Sequence, residues 1–234
     1  MIVFDHTLHE KYLQGDPILR LLNEATGPND AALTSHRWLL ESSPKRMIYF
    51  YMYGDLLQAT PRLQRVLDVG GGYSALSRLI LRSHAYTLLD IMVHDRSEDV
   101  RALEASIGRP FWVNSDWHQF IPPSDYDLII ANDLFPNVDQ RLVLFLEAYL
   151  PRCREMRLLL TYYNHPRFYQ VKRLDADEVL CMLAWDGQQV KLALTQYANR
   201  IEQPDCEILL RTVPSLFSNK RQVCMVRLRG DLHE

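Results

Sequence analysis

Three of the nine glycines in this 234-residue chain stand side by side, in Val66-Leu67-Asp68-Val69-Gly70-Gly71-Gly72-Tyr73-Ser74. An apolar run enters the triplet and a helical pattern leaves it. Glycine tolerates positive φ and carries no Cβ, so such a run turns tightly and lets another molecule approach the main chain. The triplet predicts a strand–turn–helix unit that opens a layered α/β fold, with the turn as a ligand contact. A tight turn without a ligand is the alternative.

The pattern on either side sets the architecture. Residues 5–60 read as helical, with Leu13, Ile18, Leu21 and Leu22 on one face. A break falls at Gly27-Pro28-Asn29-Asp30, a second helix starts near Ala31, and a third runs from Pro44 to about Gln58. From Arg65 onward, short apolar runs alternate with helices. The runs are Arg65–Val69, Tyr86–Asp90, Phe111–Asn114, Tyr126–Ala131 and Met156–Tyr162, and the helices are Ser74–Ser83, Ser97–Ile107 and Val138–Leu150. Such strands form a parallel sheet covered on both faces, wound by right-handed crossovers. A largely helical stretch at about 175–200 follows. Cys206–Thr212 and Gln222–Leu228 then read as an antiparallel hairpin. The expected fold is a doubly wound, Rossmann-like α/β domain over residues 61–234, with a mainly parallel seven-stranded sheet. Residues 1–60 form a helical extension or cap.

Composition removes other classes. The net charge of −3 gives no electrostatic case for nucleic-acid binding. At 47% hydrophobic and 24% charged residues, the chain is an ordinary globular one. No apolar run reaches the length of a membrane span, and the first residues do not read as a secretory signal. Cys153, Cys181, Cys206 and Cys224 are too widely spaced for a zinc site or a disulfide scaffold, and read as reduced thiols. A cytoplasmic protein with a small-molecule substrate is expected, with neither nucleic acid nor membrane as partner. A homodimer is one expected assembly, and the N-terminal helices either cap the chain's own site or dock on another subunit.

The second strand ends at Asp90, 22 residues beyond Asp68. An acidic residue at that tip is placed to accept hydrogen bonds from ribose hydroxyls. A dinucleotide site wants a further glycine where Ala75 stands, and the charge of Asp68 would oppose a pyrophosphate. An amino group and a sulfonium suit that carboxylate better. With these residues in hand, Leu67-Asp68-Val69-Gly70-Gly71-Gly72 followed by Asp90 resembles the first two motifs of the Rossmann-like (class I) S-adenosylmethionine-dependent methyltransferases. Asn114-Ser115-Asp116-Trp117 and Asp127-Leu128-Ile129-Ile130-Ala131-Asn132-Asp133-Leu134 resemble their third- and fourth-strand motifs. Tyr73-Ser74 departs from the further glycine that many members carry; the Gly-Gly-Gly-Tyr-Ser form is also similar to some sugar-modifying members. The resemblance implies S-adenosylmethionine as cofactor. It implies Asp68 and Gly70, with Gly71 and Gly72, at the amino-acid end. Asp90 with Ile91 would meet the ribose, Ser115, Asp116 and Trp117 the adenine, and Asn132 the methionine end. Trp117 as core filler is the competing account.

Methyl transfer from a sulfonium is an in-line displacement that often needs a proton acceptor. Candidates cluster at strand ends: His94, Asp95, His118, Asp133 and His165. His165, in the aromatic loop Tyr162–Tyr169, and Asp133 are the expected catalytic groups. The block Arg46–Tyr53 reads either as a lid carrying a tyrosine or as plain core. Arg37, Lys45 and Arg46 either pair with an anionic substrate group or form a solvated face. No resident metal is expected. The function implied is methylation of an oxygen or nitrogen of a small molecule, such as a sugar or secondary metabolite. The alternatives are an aminopropyl transferase of the same fold, a non-catalytic binding subunit, or a pyridine-nucleotide oxidoreductase.

Overall fold

The computed structural model describes residues 1–27, 30, 33–58, 62–91, 95, 97–172, 179–211 and 213–232. A short strand β1 (Ile2–Val3) leads into helices α1 (His6–Leu13), α2 (Pro17–Ala25), α3 (Thr34–Glu41) and α4 (Ser43–Tyr53). The face expected to run unbroken from Leu13 to Leu22 is cut at Gly15-Asp16-Pro17. Asp16 adopts φ 30° and accepts from the Leu19 amide, while Pro17 opens α2. A side-chain cap with proline at the first position is a strong helix start. Leu13 is consequently 45% exposed, whereas Ile18 and Leu22 are buried.

The alternating region follows as β2 (Arg65–Val69), α5 (Ala75–Ser83), β3 (Ala85–Leu89), α6 (Ser97–Ile107), β4 (Trp112–Val113), β5 (Tyr126–Phe135), α7 (Leu142–Tyr149) and β6 (Cys153–Tyr162). Then come β7 (Arg167–Lys172), β8 (Val179–Ala184), α8 (Gly187–Thr195) and β9 (Gln222–Arg229). The main sheet has seven strands in the order β1-β9-β6-β5-β2-β3-β4. Strands β4, β3, β2, β5 and β6 are parallel neighbours; β9 runs antiparallel to β6, and β1 antiparallel to β9. The winding reverses between β2 and β5, where open α/β sheets leave a crevice at the strand ends.

Alternate strand residues feed two cores. Val66, Leu88, Leu128 and Ile130 pack with α1–α5, and Leu67, Leu89, Ile129 and Ala131 pack with α7 and α8. Helices α2 and α3 are tied to α5 by Arg78, which donates to Asp30 at 2.8 and 2.6 Å and to the Ala25 carbonyl at 2.7 Å. Buried Arg157 of β6 donates to the Met52 carbonyl at 2.7 Å and to Asp55 at 2.6 and 2.7 Å, pinning the end of α4 to the sheet.

Two C-terminal expectations are corrected. Cys206–Leu210 is a 3-10 helix, and Thr212 lies outside the described residues. Only Leu209 of that run is buried, and its carbonyl packs against Gly187 of α8. The antiparallel neighbour that β9 lacks on that side is supplied by β1, with Ile2 opposite Met225. The stretch read as helical holds α8, but it begins with β8, which pairs with β7 as a separate two-stranded sheet. Residues 173–178 between them lie outside the described residues. No helix among the described residues is long and apolar enough to cross a membrane. None of the four cysteines is in a disulfide; Cys153 and Cys224 are buried, which pushes both thiols up to about 12.

Candidate functional site

At the end of β2 the chain turns through Gly70 (φ +71°) and Gly72 (φ +68°), both in the left-handed region. The Gly70 amide donates to the Leu89 carbonyl at 2.9 Å, and the Gly72 amide to Asp90 Oδ2 at 3.1 Å. These bonds draw the bend against the tip of β3. Ser74 then caps α5, accepting from the Leu76 and Ser77 amides. A Cβ on Gly72 would collide with Ser35 Oγ, because α3 lies directly on the bend.

Asp68 sits beneath this turn; a Cβ on Gly71 would collide with its carboxylate oxygens. Its oxygens accept from Tyr53 Oη at 3.0 Å and Tyr86 Oη at 2.6 Å. Burial raises its carboxyl to about 7; the two hydroxyls oppose that rise, and the charge of Asp90 adds to it. Tyr53 stacks on Tyr49 with ring centroids 4.2 Å apart. Asp68, expected at the amino-acid end of the cofactor, does not itself line the cavity. It braces the bend from behind, because both oxygens face buried tyrosines.

The bend forms one wall of a cavity of about 660 Å³. Asp90, Ile91, Ser115, Asp116, Trp117, Asn132 and Asp133 line it together with Gly70, Gly71 and Gly72. Its roof comes from the N-terminal helices: Ser35, Arg37, Trp38 and Leu39 of α3, and Lys45, Ile48 and Tyr49 of α4. The helices therefore cover the chain's own crevice, and the Arg46–Tyr53 block divides between both of its readings. Tyr49 faces the cavity, Tyr53 meets Asp68, Phe50 packs on Tyr12, and Tyr51 packs on Phe4. Asp95 accepts from the Thr34 amide at 2.8 Å, fixing the start of α3. His94 lies outside the described residues.

On the far wall Asp116 and Trp117 were expected, whereas Asp139 and Arg141, which join them, belong to no motif in the sequence. Arg141 donates to Asp139 at 2.6 Å and to Asp116 at 3.0 Å, and lies 4.7 Å from the centre of the Trp117 ring. Burial would raise the Asp139 carboxyl, but Arg141 and the Trp117 indole hold it below the usual range. Trp117 meets Phe135, Phe145 and Tyr149 edge-on. Core packing thus accounts for most of its surface, although part of it reaches the cavity.

At the other end, β5 carries a register shift between Ala131 and Phe135, and Asp133 there has φ +58°. Such a bulge re-aims side chains beside a site. Asp133 accepts from Arg221 Nη1 at 2.7 Å, Thr161 Oγ1 at 2.9 Å and Asn137 Nδ2 at 3.2 Å. Three donors thus fix its carboxylate in place. His165, expected as a catalytic group, is exposed and does not line the cavity. Its loop turns into β7, where Tyr163 packs on Tyr169 under Arg167. Lys45, expected either to pair with an anionic group or to lie on a solvated face, lines the cavity. Its Nζ lies 4.0 Å over the Trp38 ring, and burial lowers its pKa, with Asp133 pulling it up and Arg221 down.

No family model and no curated protein matches this sequence. Solved structures do match in fold. N-methyltransferase NodS from Bradyrhizobium japonicum WM9, in complex with S-adenosylhomocysteine, is 13% identical, with 93% of this chain and 100% of that one covered at a TM-score of 0.50. The N-terminal domain of EvdMO1, crystallised in the presence of S-adenosylhomocysteine and D-fucose, is 11% identical over 78% of this chain and 80% of that one, at 0.52. The PH0226 protein from Pyrococcus horikoshii OT3 is 12% identical over 86% and 95%, at 0.51. Identities this low speak for architecture alone: the chain has the fold of the class I S-adenosylmethionine-dependent methyltransferases.

Proposed function

We propose that this chain is an S-adenosylmethionine-dependent methyltransferase acting on an oxygen or nitrogen of a small molecule. One observation carries the reading. A single roofed cavity joins the side-chain-free bend and the tips of β3, β4 and β5, at the point where the winding of the sheet reverses. Its donors and acceptors suit a sulfonium nucleoside. The bend gives close backbone approach, and Asp90, already held by the Gly72 amide, offers a carboxylate to ribose hydroxyls. In this reading Ser115 and Asp116, which line the same cavity, meet the adenine edge, and Asn132 meets the amino-acid end.

When bound, the sulfonium supplies a methyl group activated for displacement by a nucleophile in line with the carbon–sulfur bond. The protein's share is alignment and exclusion of water. Asp90 and the bend fix the nucleoside, with Asp68 supporting the bend from behind. Trp38, Leu39, Ile48 and Tyr49 close the roof over the space next to Asp133. Asp133 is the group from the expected catalytic pair that this reading keeps, as an anchor for Arg221.

The test is calorimetry with S-adenosylhomocysteine on the full chain. The wild type should bind. Asp90→Ala should bind about ten- to a hundredfold more weakly, the worth of a hydrogen bond to a charged group, with an unchanged circular dichroism spectrum. A wild-type titration without heat at several temperatures, and without a thermal shift, would defeat the proposal.

A further inference from the structure

We propose that the methyl acceptor carries an anionic group, a carboxylate or a phosphate, seated between Lys45 of α4 and Arg221 at the start of β9. This rests on the methyltransferase reading, and it concerns the acceptor end of the same cavity. Two independent observations meet there. Arg221 is 9% exposed and lines the cavity; its guanidinium lies 4.3 Å over the Phe217 ring and its Nη1 serves Asp133, while no hydrogen bond ties its Nη2 among the described residues. A guanidinium NH2 without a protein acceptor is open to a carboxylate or phosphate oxygen. Lys45 lines the same cavity, and among the described residues no carboxylate lies within ion-pair distance of its ammonium. It rests instead on the Trp38 ring, which leaves its charge for a ligand.

The acids of the cavity are otherwise engaged. Asp116 and Asp139 take Arg141, Asp133 takes Arg221, Asp95 takes the Thr34 amide, and Asp90 takes the Gly72 amide. At the acceptor end the cations Lys45 and Arg221 share one lining carboxylate, Asp133, with Glu41 within electrostatic reach of Lys45 and Arg37 a further cation at the exposed rim. The neighbouring cation shows the contrast. Arg46 is spent on Asp16 and on the Leu39 and Leu40 carbonyls, a helix-end clamp with nothing left for a ligand. Around Lys45 the walls Trp38, Leu39 and Ile48 are apolar, which suits an acceptor with an apolar or aromatic body and one charged head.

The experiment titrates benzoate, phenyl phosphate and neutral benzyl alcohol into the full chain saturated with S-adenosylhomocysteine. At least one anion should bind about tenfold more tightly than the alcohol, and the better of the two names the head group. Lys45→Met should lose that preference while keeping its affinity for S-adenosylhomocysteine, and Lys45→Arg should restore part of it. Arg221→Lys is the second variant, chosen because it leaves Asp133 a cationic partner. The proposal falls if the alcohol matches both anions, if neither anion binds, or if Lys45→Met keeps the preference. Should the wild type fail to bind S-adenosylhomocysteine, the methyltransferase reading falls instead, and the same anion titrations on the unloaded chain decide this proposal separately.

Discussion

Asp68 takes a carboxyl group into the interior with two tyrosine hydroxyls to meet it, and the consequence is a pH-dependent stability of unusual sign. Its folded pKa of about 7 lies above the ordinary 3.8, so the native state holds a proton that the unfolded chain releases. Linkage then makes the Asp68 contribution largest below about pH 4 and removes it as pH rises toward 7, a loss of order 4 kcal/mol. Asp16, Asp30 and Asp139 are held below their ordinary range and act in the opposite direction. The clean measurement is the difference between wild type and Asp68→Asn in urea unfolding across pH 4–8. The variant should gain relative to wild type as pH rises; a flat difference would mean that Asp68 is ionised in the fold. The strand-end position of Asp68 was readable, because a glycine triplet follows it. Its partners were not, because Tyr53 comes from a helix and Tyr86 from the next strand, and no local pattern announces that meeting. The placement of His165 shows the converse limit of local pattern. Its place after the fifth strand suited catalysis, but the chain beyond it pairs as β7 and carries the ring to solvent.

Among elements, the contact between α3 and the glycine bend is where a single atom decides the geometry. Gly72→Ala faces two obstacles: a φ of +68° and Ser35 Oγ in the space a Cβ would take. The substitution should destabilise by about 1–3 kcal/mol and weaken S-adenosylhomocysteine binding, since α3 must retreat from the roof. Adding Ser35→Gly removes the collision and leaves the backbone strain, so the double variant should recover part of the loss in both thermal melts and calorimetry. No recovery would mean that the positive φ alone is responsible. The parallel strands were legible because their apolar runs are continuous and their helices amphipathic. The β7–β8 hairpin was missed because an apolar stretch of six residues carries no clear period. The start of α2 was missed because Asp16-Pro17 interrupts a helical face without disturbing its spacing.

For the whole molecule, the question is whether residues 1–60 are an appendage or part of the fold. Ile18, Leu22, Met47, Met52 and Leu56 are each no more than 2% exposed, and all lie in the cluster that covers one face of the sheet. At about 1.5–3 kcal/mol for each buried side chain, these five alone contribute about 7–15 kcal/mol, as much as the whole net stability of an ordinary domain. Without them the strand residues Val66, Leu128 and Ile130 would face water, buried Arg157 would lose Asp55, and β9 would lose its β1 neighbour. The helical cap and the sheet therefore share one core, in which residues of the cavity roof such as Leu39, Ile48 and Tyr49 also take part. Deleting residues 1–60 should yield an aggregated or unfolded product, without protected sheet amides in hydrogen exchange and without S-adenosylhomocysteine binding. A compact monomer with a cooperative melt would instead make the N-terminal helices a separable lid. The acceptor end would then be open in the isolated sheet domain, and binding of the sulfonium nucleoside would survive the loss of Lys45 together with the rest of the roof.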